Sequence, residues 1–200
     1  MTTETLLPVD PIAQAVAIAD RGPASRPWTE PQPAPAEEGQ PAAAKDILII
    51  NYSGDLEKVW ATMILASTSA AMGVKTRVFV TFWGLQVFVK DSKRITGETW
   101  MQKMLSFMQR PGISHRKLSK MNFLGMGPWM MGVLAKKYGV AKPAELLEAA
   151  QALGVEFMPC QMTMDMFGLK REDMIDGLGE PVGAATVIEL FNNGAASLFI

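Results

Sequence analysis

The chain has 200 residues, 48% of them hydrophobic and 20% charged, a length that suits one domain with a tail and a composition too apolar for a disordered protein. Its 19 Lys and Arg nearly balance 20 Asp and Glu, for a formal net charge of −1, so no overall field draws it to nucleic acid. The one cysteine, Cys160, can close no internal disulfide and build no Cys-rich zinc site, and the acidic start, with no basic stretch ahead of an apolar one, gives no secretory pattern; the expected compartment is the reducing cytoplasm.

Residues 1–44 are rich in Pro and Ala, with PQPAP at 31–35, and are expected to form a tail that cannot bury enough surface to fold alone. Within it a short helical pattern at 12–19 is a candidate for docking on the domain or a partner. The folded part, residues 45–200, opens with the β-branched run ILII at 47–50, a buried strand that ends at the turn YSGD at 52–55. Asp55 is placed to cap a helix over 56–72 closed by Gly73, and a second strand follows at 76–81. Strand, helix and strand in this order form the crossover unit that builds parallel sheets with helices on both faces.

Beyond Trp83 and Gly84 the pattern loosens, with Lys90, Lys93 and Arg94 marking an exposed segment and a short helix at 100–108. The spacing predicts a helix over 125–138 stopped by Gly139, and another over 143–153 with Pro143 in its first turn and Gly154 after its end. An internal strand at 155–158 then delivers Pro159 and Cys160. A short helix near 171–175, a helix at 184–192 and a last core strand at 197–200 complete the order. The long uncharged runs at 59–74 and 121–135 fall short of the ~20 apolar residues of a membrane helix. They read as buried helices or an oligomer interface, with peripheral membrane contact as an alternative.

In open parallel sheets reactive groups collect beyond the carboxyl ends of the strands, where Cys160 falls, and the following QMTMD at 161–165 has the character of a helix start, whose N–H groups favour a thiolate. The competing reading is a buried, inert cysteine. A cysteine phosphatase or arsenate reductase loop needs an Arg where Met166 stands, and a thioredoxin-type pair needs a cysteine at Thr163. A cysteine hydrolase would have to use His115, the one histidine, in the basic stretch 114–117. The GMG at 125–127 fails as a dinucleotide loop because Met130 stands where the third Gly belongs, and the turn at 52–55 reads as a tight turn more readily than as a phosphate loop. The 15 Met residues suit irregular cores and adaptable interfaces better than copper binding. Lys136, Lys137, Lys170 and Arg171 are expected to face solvent, although a cation beside the thiol would help hold a persulfide anion.

The run FVTFWGL at 79–85, the helix start at 125–127, the segment GVEFMPCQMTMDMFG at 154–168 and the terminal residues 183–200 together resemble the DsrE/DsrF-like sulfur-carrier family, in particular its larger, peroxiredoxin-like DsrE branch. The resemblance covers nearly all of 45–200 and is most specific around Cys160. It implies a Rossmann-like or flavodoxin-like parallel α/β sheet, assembly into homo-oligomers, and a cysteine that exchanges sulfane sulfur with rhodanese- or TusA-like proteins. Only Cys160 carries over as the sulfur-bearing residue; some members have an earlier second cysteine, and this chain has none. Of the Pro and Thr that position a peroxide in true peroxiredoxins only Pro159 is present, so peroxidase activity is not expected. The sequence therefore predicts a sulfur carrier or sulfurtransferase using Cys160 without a metal or cofactor, against the alternative of a non-catalytic α/β oligomeric module that binds a small ligand or protein.

Overall fold

A computed structural model of the protein describes residues 46–200 except Arg94; the tail expected over 1–44, with its helical pattern at 12–19, lies outside the described residues. The strands are β1 (Asp46–Asn51), β2 (Lys75–Val80), β3 (Glu156–Pro159) and β4 (Ala196–Phe199). They form one sheet in the order β3-β2-β1-β4 with every pairing parallel. Seven α-helices lie among the described residues: α1 (Leu56–Ala71), α2 (Phe82–Leu85), α3 (Trp100–Met108), α4 (Met126–Tyr138), α5 (Pro143–Ala152), α6 (Gln161–Phe167) and α7 (Ala184–Asn192).

The period of two along each strand divides the core. From β1, β2 and β3, Ile49, Val78, Val80 and Phe157 join Val59, Trp60 and Met63 of α1 and Leu146, Leu147 and Ala150 of α5 in the larger cluster. Leu48, Ile50, Phe79, Met158 and Cys160 point to the other face, where Val187 of α7 covers them. Helices thus lie on both faces, as expected. Trp60 ties the first face together by donating its indole N–H to the Ala141 carbonyl at 2.9 Å, which satisfies the polar end of a buried ring. Gly73, Gly139 and Gly154 end α1, α4 and α5 with positive φ, the backbone state glycine adopts at little steric cost.

Four expectations are corrected. β3 is an edge strand of the four-stranded sheet, not an internal one: its free side meets only isolated parallel bridges, Phe157 to Leu178 and Cys160 to Val182. The segment alongside, LGEPVG at 178–183, carries two glycines and a proline, and such residues do not sustain a ladder. β4 is not a core strand: all four of its residues are exposed, Phe199 at 71%, although Ile200 donates to the Ile50 carbonyl and accepts from the Tyr52 N–H, which ties the end down. Of the readings of the run at 121–135, burial within the chain is the one that fails, since in α4 only Gly127 and Ala135 are buried; the oligomer interface and peripheral membrane contact are untouched by this. The helix expected near 171–175 is a 3-10 turn over Arg171–Asp173.

Candidate functional site

β3 brings Cys160 to the carboxyl end of the sheet and its backbone is held from both sides. The Cys160 N–H donates to the Val80 carbonyl at 2.9 Å, extending the β2–β3 ladder by one step, and on the other side Val182 donates to the Pro159 carbonyl at 2.9 Å. Pro159 suits this place because its missing N–H is not called on. Cys160 then caps α6 and accepts the Met164 N–H at 3.0 Å.

The thiol sits among hydroxyls. Thr163, one turn into α6 and 0% exposed, shares a 3.0 Å hydrogen bond with Thr81 at the end of β2. The Phe82 N–H also donates to the Thr163 Oγ1, at 3.2 Å. Phe82 takes φ +45°, a left-handed state that costs a bulky residue on the order of 1–3 kcal/mol and persists only where its surroundings hold it. Burial pushes the Cys160 thiol up, but the hydroxyls of Thr163 and Thr81 and the backbone N–H groups of Thr163 and Met162 outweigh it, and the thiol titrates below its ordinary value. A thiol held below its ordinary value favours the anion, the nucleophilic form. The same surroundings restrict access, since Cys160 is only 4% exposed, packed with Met158, Phe79 and Val182.

The other residues weighed in the sequence lie elsewhere. Lys170 pairs with Glu98 at 3.0 Å, and Arg171 donates to the carbonyls of Ile175 and Leu178, so the groups that bear on the thiol are neutral hydroxyls and amides, not cations. His115 lines a separate cavity beyond β1 with Arg116 and Lys117 and is not among the groups that act on Cys160. Met166 and Asp165 follow Cys160 on exposed positions of α6. Reasoning from the sequence missed Thr81 and Thr163, which are 82 positions apart and meet only because β2 and β3 are neighbours.

Fold and site define a parallel α/β protein with a lone, buried thiol at a strand end. Residues 43–199 match the model of the DsrE/DsrF/DrsH-like family, and the chain belongs to that family. It is 35% identical over 156 residues to the uncharacterized protein YrkE of Bacillus subtilis (strain 168), covering 78% of this chain and 97% of that one. It is likewise 35% identical over 159 residues to the sulfur carrier protein DsrE2 of Allochromatium vinosum, covering 78% and 98%. Among solved structures it is similar to the ychN protein of E. coli, with a TM-score of 0.45 and 12% identity over 78% of this chain and 99% of that one.

Proposed function

We propose that this protein is a sulfur carrier that holds sulfane sulfur as a persulfide on Cys160 and passes it to a partner protein. The observation that carries this reading is the position of the single cysteine, where β3 ends and α6 begins; the groups around it hold the thiol below its ordinary value against its burial. Kinship supports it, since the DsrE2 relative is named a sulfur carrier.

The step is thiol exchange with sulfur as passenger. The Cys160 thiolate attacks the outer sulfur of a donor R–S–SH; the donor S–S bond breaks as a new one forms, and R–S⁻ leaves while Cys160 becomes a persulfide. An acceptor thiolate attacks the same outer sulfur, takes it, and restores the Cys160 thiolate, with no net oxidation over the cycle. Rhodanese- and TusA-like proteins supply donor and acceptor of this chemistry. One thiol per chain suffices for both half-reactions.

The burial of Cys160 favours a second reading, a non-catalytic binding module in which the thiol is core filling. Transfer separates the two: incubation with a persulfidated TusA-like donor moves one sulfur to the wild type and none to Cys160→Ser, whereas a core thiol takes none in either protein.

We also propose that the chain assembles with copies of itself. Trp100, Phe107, Trp129 and Tyr138, on α3 and α4, are each more than half exposed, and apolar surface on that scale marks an interaction site. No helix among the described residues is long and apolar enough to cross a membrane.

A further inference from the structure

The loop after β1, the turn after β2 and the residues on either side of His115 enclose a cavity of about 370 Å³ that the sulfur chemistry does not use. Four cations, Lys58, Arg110, Arg116 and Lys117, line it against one carboxylate, Asp55, and Asp55 is already engaged by Lys58 at 3.0 Å and by the Ser53 hydroxyl at 2.9 Å. Arg116 is the unusual member. It is only 8% exposed, its Nε is buried with no hydrogen-bond partner, and among the described residues its guanidinium makes one hydrogen bond, to the Arg110 carbonyl. None of Arg110, Arg116 and Lys117 has a carboxylate within ion-pair distance among the described residues.

A buried guanidinium without an anion is expensive, because the desolvation of each such charge costs several kcal/mol unless a partner restores it. Burial pushes even this strong base down to about 10, with Asp91 and Asp55 opposing only at a distance. The fold brings the charge close to the loop through Gly54, where a Cβ would come within 2.7 Å of the Trp83 carbonyl and 3.0 Å of the Arg116 Nη1. The place is also the one open parallel sheets use for ligands, beyond the carboxyl end of the strand at which the strand order turns back, here β1 between β2 and β4.

We propose that this cavity binds a small organic phosphate, with the phosphate held by Arg116 and Lys117 and a flat or aliphatic body lying on Tyr52, Trp83 and Met108. The volume lies in the range of small-molecule sites, roughly 300–1,000 Å³, larger than a bare inorganic oxyanion fills. A planar guanidinium matches two phosphate oxygens at once. The site is separate from Cys160 and its occupancy does not depend on sulfur transfer.

Titration calorimetry on the full chain at about 0.15 M salt, where exposed charges are largely screened, tests the proposal with AMP, inorganic phosphate and reduced glutathione as probes. AMP binds saturably and at least tenfold more tightly than inorganic phosphate, and Cys160→Ser binds it equally well. Arg116→Met loses AMP binding by tenfold or more while the ligand-free variant melts no lower than the wild type, since removing an uncompensated buried charge does not weaken the fold. If Arg116→Met does not fold, Lys117→Ala decides, with an expected three- to tenfold loss. Saturable binding of glutathione alone, no binding of AMP, or AMP affinity unchanged in a folded Arg116→Met or in Lys117→Ala would overturn it.

Discussion

At the scale of the residue, the reactivity of Cys160 is a balance between donors that favour the thiolate and packing that hides it. Alkylation by iodoacetamide should therefore show a pH midpoint below the ~8.5 of an ordinary thiol, with an absolute rate limited by opening and raised by sub-denaturing urea. Thr163→Val removes one hydroxyl that acts on the sulfur and strands the Phe82 N–H. The midpoint should move up, and stability should fall by about 1–3 kcal/mol. An unchanged midpoint in a folded variant would mean that Thr163 does not tune the thiol. The position of Cys160 was legible from the sequence because a strand-ending cysteine before a helix start has a recognisable pattern. Thr81 and Thr163 were not, since neither residue type signals a role until the β2–β3 pairing sets them side by side. Arg116 reads in the sequence as one more solvated cation of a basic stretch; its burial is a tertiary property that no local pattern encodes.

At the scale of the element, the turn after β2 depends on close approach. A Cβ at Gly84 would overlap both the side chain and the backbone carbonyl of Asn51, and backbone cannot move aside as a flexible side chain can. Gly84→Ala should cost at least about 1–3 kcal/mol in urea unfolding; a midpoint equal to wild type would show that the approach is not tight. The 3-10 turn over Arg171–Asp173 is pinned differently. Burial pushes the Asp173 carboxyl up, but the Lys93 ammonium at 2.8 Å and the Lys170 N–H at 3.0 Å outweigh it, leaving Asp173 below its ordinary value. A depressed carboxyl stabilises the fold above its unfolded titration near ~3.9 and loses that contribution as pH falls through the folded value. The stability gap between wild type and Asp173→Asn should thus be widest near neutral pH and close below about pH 4, as thermal melts across pH 3–7 would show; a gap independent of pH would contradict the pairing. Element positions were legible from periodicity and from the stops at Gly73, Gly139 and Gly154. The edge status of β3 and β4 was not, because a run such as FMP or SLF reads the same whether a neighbour covers it or not.

At the scale of the whole molecule, the parallel order β3-β2-β1-β4 puts Cys160 beyond β3 and the cationic cavity beyond β1, along one edge of the sheet. Trp83 links them, since it lines the cavity and stacks on Phe167 of α6 at 5.2 Å between ring centres. The exposed aromatics of α3 and α4 predict self-association, so light scattering at micromolar concentration should return a mass above the 21.8 kDa of one chain. A stable monomer would remove that interface. The run at 121–135 shows why this part was only half legible: apolar composition predicts burial, but not whether the same chain or another copy provides it. The sulfur-carrier reading is tested most directly by the intact mass of the native protein after incubation with polysulfide. With one cysteine in the chain, no other thiol confuses the result. The wild type should gain mass in steps of about 32 Da per sulfur, reversible by dithiothreitol, and Cys160→Ser should gain none; a wild type that gains no sulfur without denaturant, or a Cys160→Ser that gains as much, would contradict it.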